Sequence, residues 1–242
     1  MKKINVTVWN EREGALGAYA DGIHTAIADF LTKSGEFGNV RTAILPQPEH
    51  GLTDEVLANT DVLTWWGHMF HGDVDDAIVE KVRQRVLDGM GLIVLHSGHG
   101  SKIFNKLMGT NTGSLRWREK PNELERVWKI ESNHQITVGL PDYFEIPQTE
   151  MYGERFEIPA PDELIFISWY EGGEVFRSGC TFKRGKGRIF YFSPGHETFP
   201  IFNMPEVQLV IKNAIKWAAP LAYDRVETGH FPESPEDIRA GK

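Results

Sequence analysis

The sequence predicts an α/β protein built on a parallel sheet, and three observations carry that prediction. Short β-branched or apolar runs alternate with segments of helical period through the first half. One of those runs, Leu92 to Leu95, is wholly apolar, as expected of a strand covered on both faces. The chain has 242 residues, 40% hydrophobic and 25% charged, which is enough to bury a substantial core.

Ile4 to Trp9 reads as the first strand. Tyr19, Ile23, Ala26, Ile27, Phe30 and Leu31 then fall on one helical face. Val40 to Leu45 reads as a second strand, stopped by Pro46 and Pro48, and Asp61 to Trp66 as a third. Asp73 can cap a helix with apolar positions Ile78, Val82 and Val86, and Gly89 and Gly91 bracket its end. Ser101 opens another short helix after the fourth strand. The alternation implies right-handed βαβ units. The second half differs: Leu124 to Ile130 and Leu164 to Tyr170 read as strands, and Glu174 to Lys183 with Arg188 to Phe192 form a β-hairpin around Gly185-Lys186-Gly187. A final helix starts at Pro205, shows Val207, Val210, Ile211, Ala214, Ile215 and Ala218 on one face, and stops at Pro220. Residues 1–220 are expected to form one domain, and 221–242 a charged arm packing on a neighbouring subunit of a homo-oligomer.

The net charge of -8 and the lack of a Lys/Arg stripe argue against nucleic acid and against a polybasic membrane patch. No apolar run reaches bilayer length, no signal-peptide pattern opens the chain, and the single cysteine, Cys180, excludes an internal disulfide. A cytoplasmic protein is the expectation. Cys180 reads as a core residue of the hairpin.

Ligands of parallel sheets bind beyond the carboxyl ends of the strands, and five of the nine histidines stand there. His68 and His71 follow the third strand, His96 and His99 the fourth, and His196 the hairpin. If the second hairpin strand joins the parallel sheet, these loops converge. Neutral imidazole suits zinc, and catalytic zinc sites take three protein ligands and leave a position for water. Glu150 and Glu154 add carboxylates. Asn10 and Glu11 end the first strand and can face the cleft. Trp65 and Trp66 read as core or as a sugar-stacking wall. Arg116-Trp117-Arg118 reads as a surface ion-pair segment or as a clamp for an anionic or polyhydroxyl ligand. His24 reads as a helix-face residue packing on the sheet edge, His134 as a turn residue, and His50 and His230 as solvated. Ser97 stands at a strand-to-helix turn but lacks the flanking glycines of a nucleophile elbow, so it reads as a capping hydroxyl ahead of a nucleophile paired with His196.

The segments WWGHMFHGDV, GMGLIVLHSGHGSKIF, EMYGERFEIPAPDELIFISW, GGEVFRSGCTFKRGKGRIFYFSPGHE and KNAIKWAAP closely resemble the trehalose-utilisation (ThuA-like) family over essentially Met1 to Pro220. The resemblance implies a class I glutamine-amidotransferase-like, flavodoxin-like fold: a three-layer αβα sandwich with a mostly parallel central sheet. That superfamily often places a cysteine nucleophile after the fourth strand and a histidine after a later one. Here His96 or Ser97 occupies the first position and His196 the second, which argues against cysteine-dependent amidotransferase chemistry.

The family's association with disaccharide catabolism through 3-keto sugars implies a small-molecule sugar substrate and a partner sugar dehydrogenase. On that basis zinc or another divalent transition metal is expected on His71, His96 and His196. Proton transfer is expected from His99 with Glu150 or Glu154, and substrate binding from Asn10, Glu11, Trp66, Arg116 and Arg118. The reaction class expected is isomerisation, elimination or hydrolysis of a keto-sugar or glycoside. A metal-free sugar-binding or regulatory module and a Ser97–His196 esterase-like hydrolase are the alternatives.

Overall fold

The computed structural model describes residues 3–221 and, beyond them, positions 232, 234, 236 and 239. The proposed arm and His230 therefore lie almost wholly outside the described residues. Strands β1 (Val6–Asn10), β2 (Val40–Ile44), β3 (Val62–Trp66) and β4 (Gly91–Leu95) are joined by helices α1 (Gly22–Ser34), α2 (Asp54–Ala58) and α3 (Asp76–Leu87). Helix α4 (Lys102–Met108) follows β4. The second half contributes β5 (Arg116–Arg118), β6 (Glu125–Lys129), β7 (Tyr143–Ile146), β8 (Met151–Gly153), β9 (Glu163–Tyr170), β10 (Val175–Arg184), β11 (Gly187–Phe192) and helix α5 (Pro205–Ala218).

Nine strands form one sheet in the order β2-β1-β3-β4-β11-β10-β9-β6-β7. The first five run parallel, including β11, which pairs with β4 from Ile189↔Leu92 to Phe192↔Leu95. The hairpin turn therefore hands the chain back into the parallel sheet, and the loops after β1, β3, β4 and β11 emerge at one edge. From β10 outward the sheet is antiparallel, with β6 between β9 and the edge strand β7. Helices α1 and α5 bury one face of the sheet, and α2, α3 and α4 the other, giving three layers. Strands β1, β3 and β4 are buried at every position, which is why apolar residues dominate them and why Leu92 to Leu95 reads as a wholly apolar run.

Local chemistry sets the element ends. The Ser101 side chain accepts from Phe104 N at 3.3 Å and caps α4, and Pro205 opens α5, as their residue types suggest. Asp73 instead sits in a short 3-10 turn, and Asp75 is the residue that starts α3. His50 is not a solvated loop residue. Its Nδ1 donates to Leu45 O at 2.8 Å, and its Nε2 accepts from Asp75 N at 3.0 Å, tying the β2 loop to the start of α3. His134 is a turn residue: its Nδ1 accepts from Ile136 N. Cys180 is fully buried in β10, and burial pushes its thiol up to about 12.

Candidate active site

Three strand ends place three imidazoles together. β3 runs into Gly67 and His68, β4 into His96, and β11 into Ser193-Pro194-Gly195-His196. The ring centres of His68, His96 and His196 lie 6.0, 5.2 and 5.3 Å apart in pairs. The loop between β7 and β8 brings Glu150 to the same point. Its Oε2 lies 3.2 Å from His96 Nε2 and 3.9 Å from His196 Nε2. Glu197 closes the group: Oε1 bonds His68 Nδ1 at 2.7 Å, and Oε2 lies 3.8 Å from His196 Nε2.

His96 is held from both sides. Its Nδ1 donates to Ser193 O at 2.8 Å, and its Nε2 receives the Tyr152 hydroxyl at 3.1 Å. The backbone at His96 has φ of 51°, a left-handed conformation that costs a side-chain-bearing residue on the order of 1 kcal/mol. This is the sharp strand-to-helix turn that lifts a residue out of the sheet, here with an imidazole at its tip. Gly195 serves the neighbouring loop. It has φ of +142°, and a Cβ there would stand 2.5 Å from the Phe202 ring, so only glycine fits.

The electrostatics separate the groups. Burial alone would raise Glu150, but its contact with His96 and the nearby imidazoles hold it below the ordinary carboxylate value. Burial likewise opposes the charge on Glu197, yet bonding to His68 brings it to about 2, and the same bond raises His68 against its own desolvation. Burial, helped by His96, lowers His196 to about 4 and His99 to about 3, so both are neutral imidazoles near pH 7.

A cavity of about 540 Å³ opens onto this cluster, lined among others by His68, His71, His99, Glu150, Tyr152 and His196. That volume is ordinary for a small-molecule site. A depression of about 600 Å³ over α1 and α5 contains none of these histidines; its Lys33 and Lys212 pair with Asp29 and Glu36.

Several residues expected at the site have other work. Glu11 is no free ligand for substrate. Its carboxylate accepts from the backbone N–H groups of His68, Met69 and Phe70 at 2.7 to 2.9 Å and so shapes the β3 loop. Asn10 is buried and donates to Arg12 O and His24 Nδ1, and this bond seats His24 at the sheet edge. Trp66 is 1% exposed, and its Nε1 donates to Gly195 O at 3.0 Å, joining the β3 and β11 loops. Trp65 stacks on Trp9 in the core. Arg118 is held by Glu123 and Glu174, Arg116 is exposed, and neither lines the cavity. Glu154 is locked to Arg177 at 2.8 and 3.0 Å.

His71 borders the cavity but lies outside both donor triplets found among the described residues, and its ring packs over Gly67 and Gly100. His99 faces Tyr152, with ring centres 5.2 Å apart, and not the three-histidine cluster itself. Ser97 Oγ bonds Tyr152 Oη at 2.6 Å, which gives it a partner other than His196. Glu197 and Tyr152 belong to the site although nothing in the sequence singles them out, and each stands close in the chain to a residue that the sequence does mark.

The pattern defining a family described as trehalose utilisation matches residues 5–218. The chain belongs to the trehalose utilisation family. That membership assigns it to sugar metabolism. Solved structures agree on the fold. A ThuA-like protein of Parabacteroides merdae shares 15% identity and superposes with a TM-score of 0.68, over 90% of each chain. A protein of Salmonella typhimurium described as cytoplasmic shares 15% identity at a TM-score of 0.56, over 89% of this chain and 99% of its own. A β-galactosidase of Rahnella sp. R3 shares 10% at 0.57, over 89% of this chain and 31% of that one. No curated protein matches the sequence. Among the described residues, no helix is long and apolar enough to cross a membrane.

Proposed function

We propose that this member of the trehalose utilisation family is an enzyme that acts on a keto-sugar, with Glu150 as the proton-accepting group and a divalent transition metal beside it. The observation that carries the reading is the buried carboxylate of Glu150, with its Oε2 unpartnered and aimed at imidazoles on the wall of an open cavity.

The donors suit a metal. His96, His196 and Glu197 each offer one atom within 4.8 Å of the others, as do His68, Glu150 and His196. Tetrahedral bonds of 2.0–2.1 Å put ligand atoms roughly 3.3 Å apart, so small side-chain shifts suffice. Glu197 Oε2, like Glu150 Oε2, is buried without a hydrogen bond, which is the expected state of a ligand atom awaiting a cation. We assign His96, His196 and Glu197 as the holders, because this leaves Glu150 free and cavity-facing. The chemistry such an ion supplies when bound is Lewis-acid polarisation of a ketone oxygen.

The chain's own residues do the rest. His96 is oriented by Ser193 O, and His196 stands beside it as a neutral imidazole. Glu150, ionised and desolvated, removes the proton at C2, made acidic by a ketone at C3. The C2–H electron pair forms the C1–C2 double bond while the C1–O bond breaks, and the glycosidic oxygen leaves as an alcohol after taking a proton. Delivery of the proton to C3 of the C2–C3 enediol, with loss of the O2 proton and no C–O cleavage, gives the 2-keto isomer instead. The ketone must come from a sugar dehydrogenase acting earlier.

The test is metal analysis of tag-free protein together with turnover of 3-keto-disaccharides. Near-stoichiometric zinc or another transition metal, with turnover, is expected, and His96→Ala should abolish both. Full activity in His96→Ala would sink the assignment.

A further inference from the structure

We infer that Trp117 forms a stacking platform for a second sugar ring, so that the site takes an uncharged glycoside of at least two rings. The inference rests on the carbohydrate reading above and deepens it.

Trp117 is 66% exposed, unusual for so large an apolar side chain, and it lines the same cavity as His68, Glu150 and His196. Its position follows from strand geometry. In the β5–β8 ribbon Trp117 stands directly opposite Tyr152, so the two side chains share a face. Tyr152 touches His96 Nε2 at 3.1 Å, which puts the indole one cross-strand step from the cluster. Arg116 and Arg118 alternate to the other face, where Arg118 meets Glu123 and Glu174. The clamp suggested by the Arg-Trp-Arg triplet is therefore turned around, and the tryptophan is the residue that faces ligand. Leu115 and the 70%-exposed Met69 border the mouth as well.

An aromatic face at the mouth of a polar cavity matches a pyranose ring, whose axial C–H groups present a positively polarised apolar surface to the indole π-cloud. Charge narrows the ligand further. The charged lining residues are Glu119 and Glu150 with the histidines, and no lysine or arginine lines the cavity among the described residues. At the mouth, a phosphorylated sugar would meet the Glu119 carboxylate with no lysine or arginine to hold it. The depth at Glu150 takes the reacting ring, and the tryptophan takes the next one.

The test is calorimetric titration of 3-keto-trehalose, 3-keto-glucose and trehalose 6-phosphate, in the Glu150→Gln background so that turnover does not consume the ligand. The keto-disaccharide should bind at least tenfold tighter than the keto-monosaccharide. Trp117→Ala should erase that advantage while changing monosaccharide affinity less than twofold, and Trp117→Phe should restore most of it. Unchanged disaccharide affinity in Trp117→Ala, equal affinity for one and two rings, or preference for the phosphate would overturn the inference and leave the proposed function standing. Failure of both the Glu150→Gln protein and the wild type to bind any of the sugars would remove the proposed function and this platform together.

Discussion

Two buried glutamates stand close in the structure and behave in opposite ways. Glu150 and Glu125 have almost no solvent contact, and the Thr149 side chain bonds Glu125 while its own chain neighbour is Glu150. Burial raises the pKa of both. At Glu150 the contact with His96 outweighs it, and the carboxylate is held ionised. Glu125 meets hydroxyls only: Ser168 Oγ at 2.5 Å, Tyr170 Oη at 3.3 Å and Thr149. Burial wins there, and its pKa rises to about 7. Desolvation is common to the pair, so the identity of the neighbouring group decides which can act as a base.

The sharpest way to break this contrast is Glu150→Gln. The amide keeps the shape and loses the basic oxygen. If Glu150 takes the proton, turnover should fall by roughly 10²–10⁴-fold. Bound metal, measured by elemental analysis, should stay, because His96, His196 and Glu197 remain. Loss of metal together with activity would instead move Glu150 into the coordinating set with His68 and His196.

Glu125→Gln probes the other member and should act on stability. The folded pKa of about 7 stands above the ordinary value of 4.5, so the native state binds more protons than the unfolded state between those values. Stability is then greatest at low pH, falls as pH rises from about 4.5 to about 7, and is level above. The wild type should lose up to about 3 kcal/mol relative to Glu125→Gln across that window. Urea unfolding at pH 5 and pH 8 measures it. Parallel pH dependence in the two proteins would show that Glu125 is ionised in the fold after all.

The contrast also explains what the sequence could reveal. The parallel half is legible because short β-branched and apolar runs alternate there with segments of helical period, and the strand-end rule alone points at His96 and His196. The hairpin is legible through Gly185-Lys186-Gly187, and its return to the sheet beside β4 fixes where His196 lands. The second half hides β5, β7 and β8, which have three or four residues each and too few positions to show a period. Glu125 and Glu150 look alike in sequence, since their difference lies in neighbours far along the chain. The same holds for Glu11, whose role depends on three backbone N–H groups more than fifty residues away. Trp117 and Tyr152 are associated only through a ribbon that the sequence does not announce.

Glu154 gives the smallest and most selective test, because by sequence alone it is as good a proton acceptor as Glu150. Its two oxygens are taken by Arg177 and by the backbone N–H groups of Phe156 and Arg177. Burial opposes its charge, but these donors, led by Arg177, hold its pKa below the ordinary value. A lowered carboxylate pKa gives stability that is present above the unfolded value and is lost as pH falls through the folded one. Glu154→Gln should therefore cost about 1 kcal/mol at neutral pH, with the difference from wild type shrinking in acid, and should leave turnover within twofold. Both carboxylates are ionised and both are partly or wholly buried, so charge and burial do not distinguish them. What Glu150 has and Glu154 lacks is an oxygen with no donor, facing a cavity. A large loss of turnover in Glu154→Gln at unchanged fold would mean that an unpartnered oxygen is not the criterion for the base, and the assignment of Glu150 would fall with it.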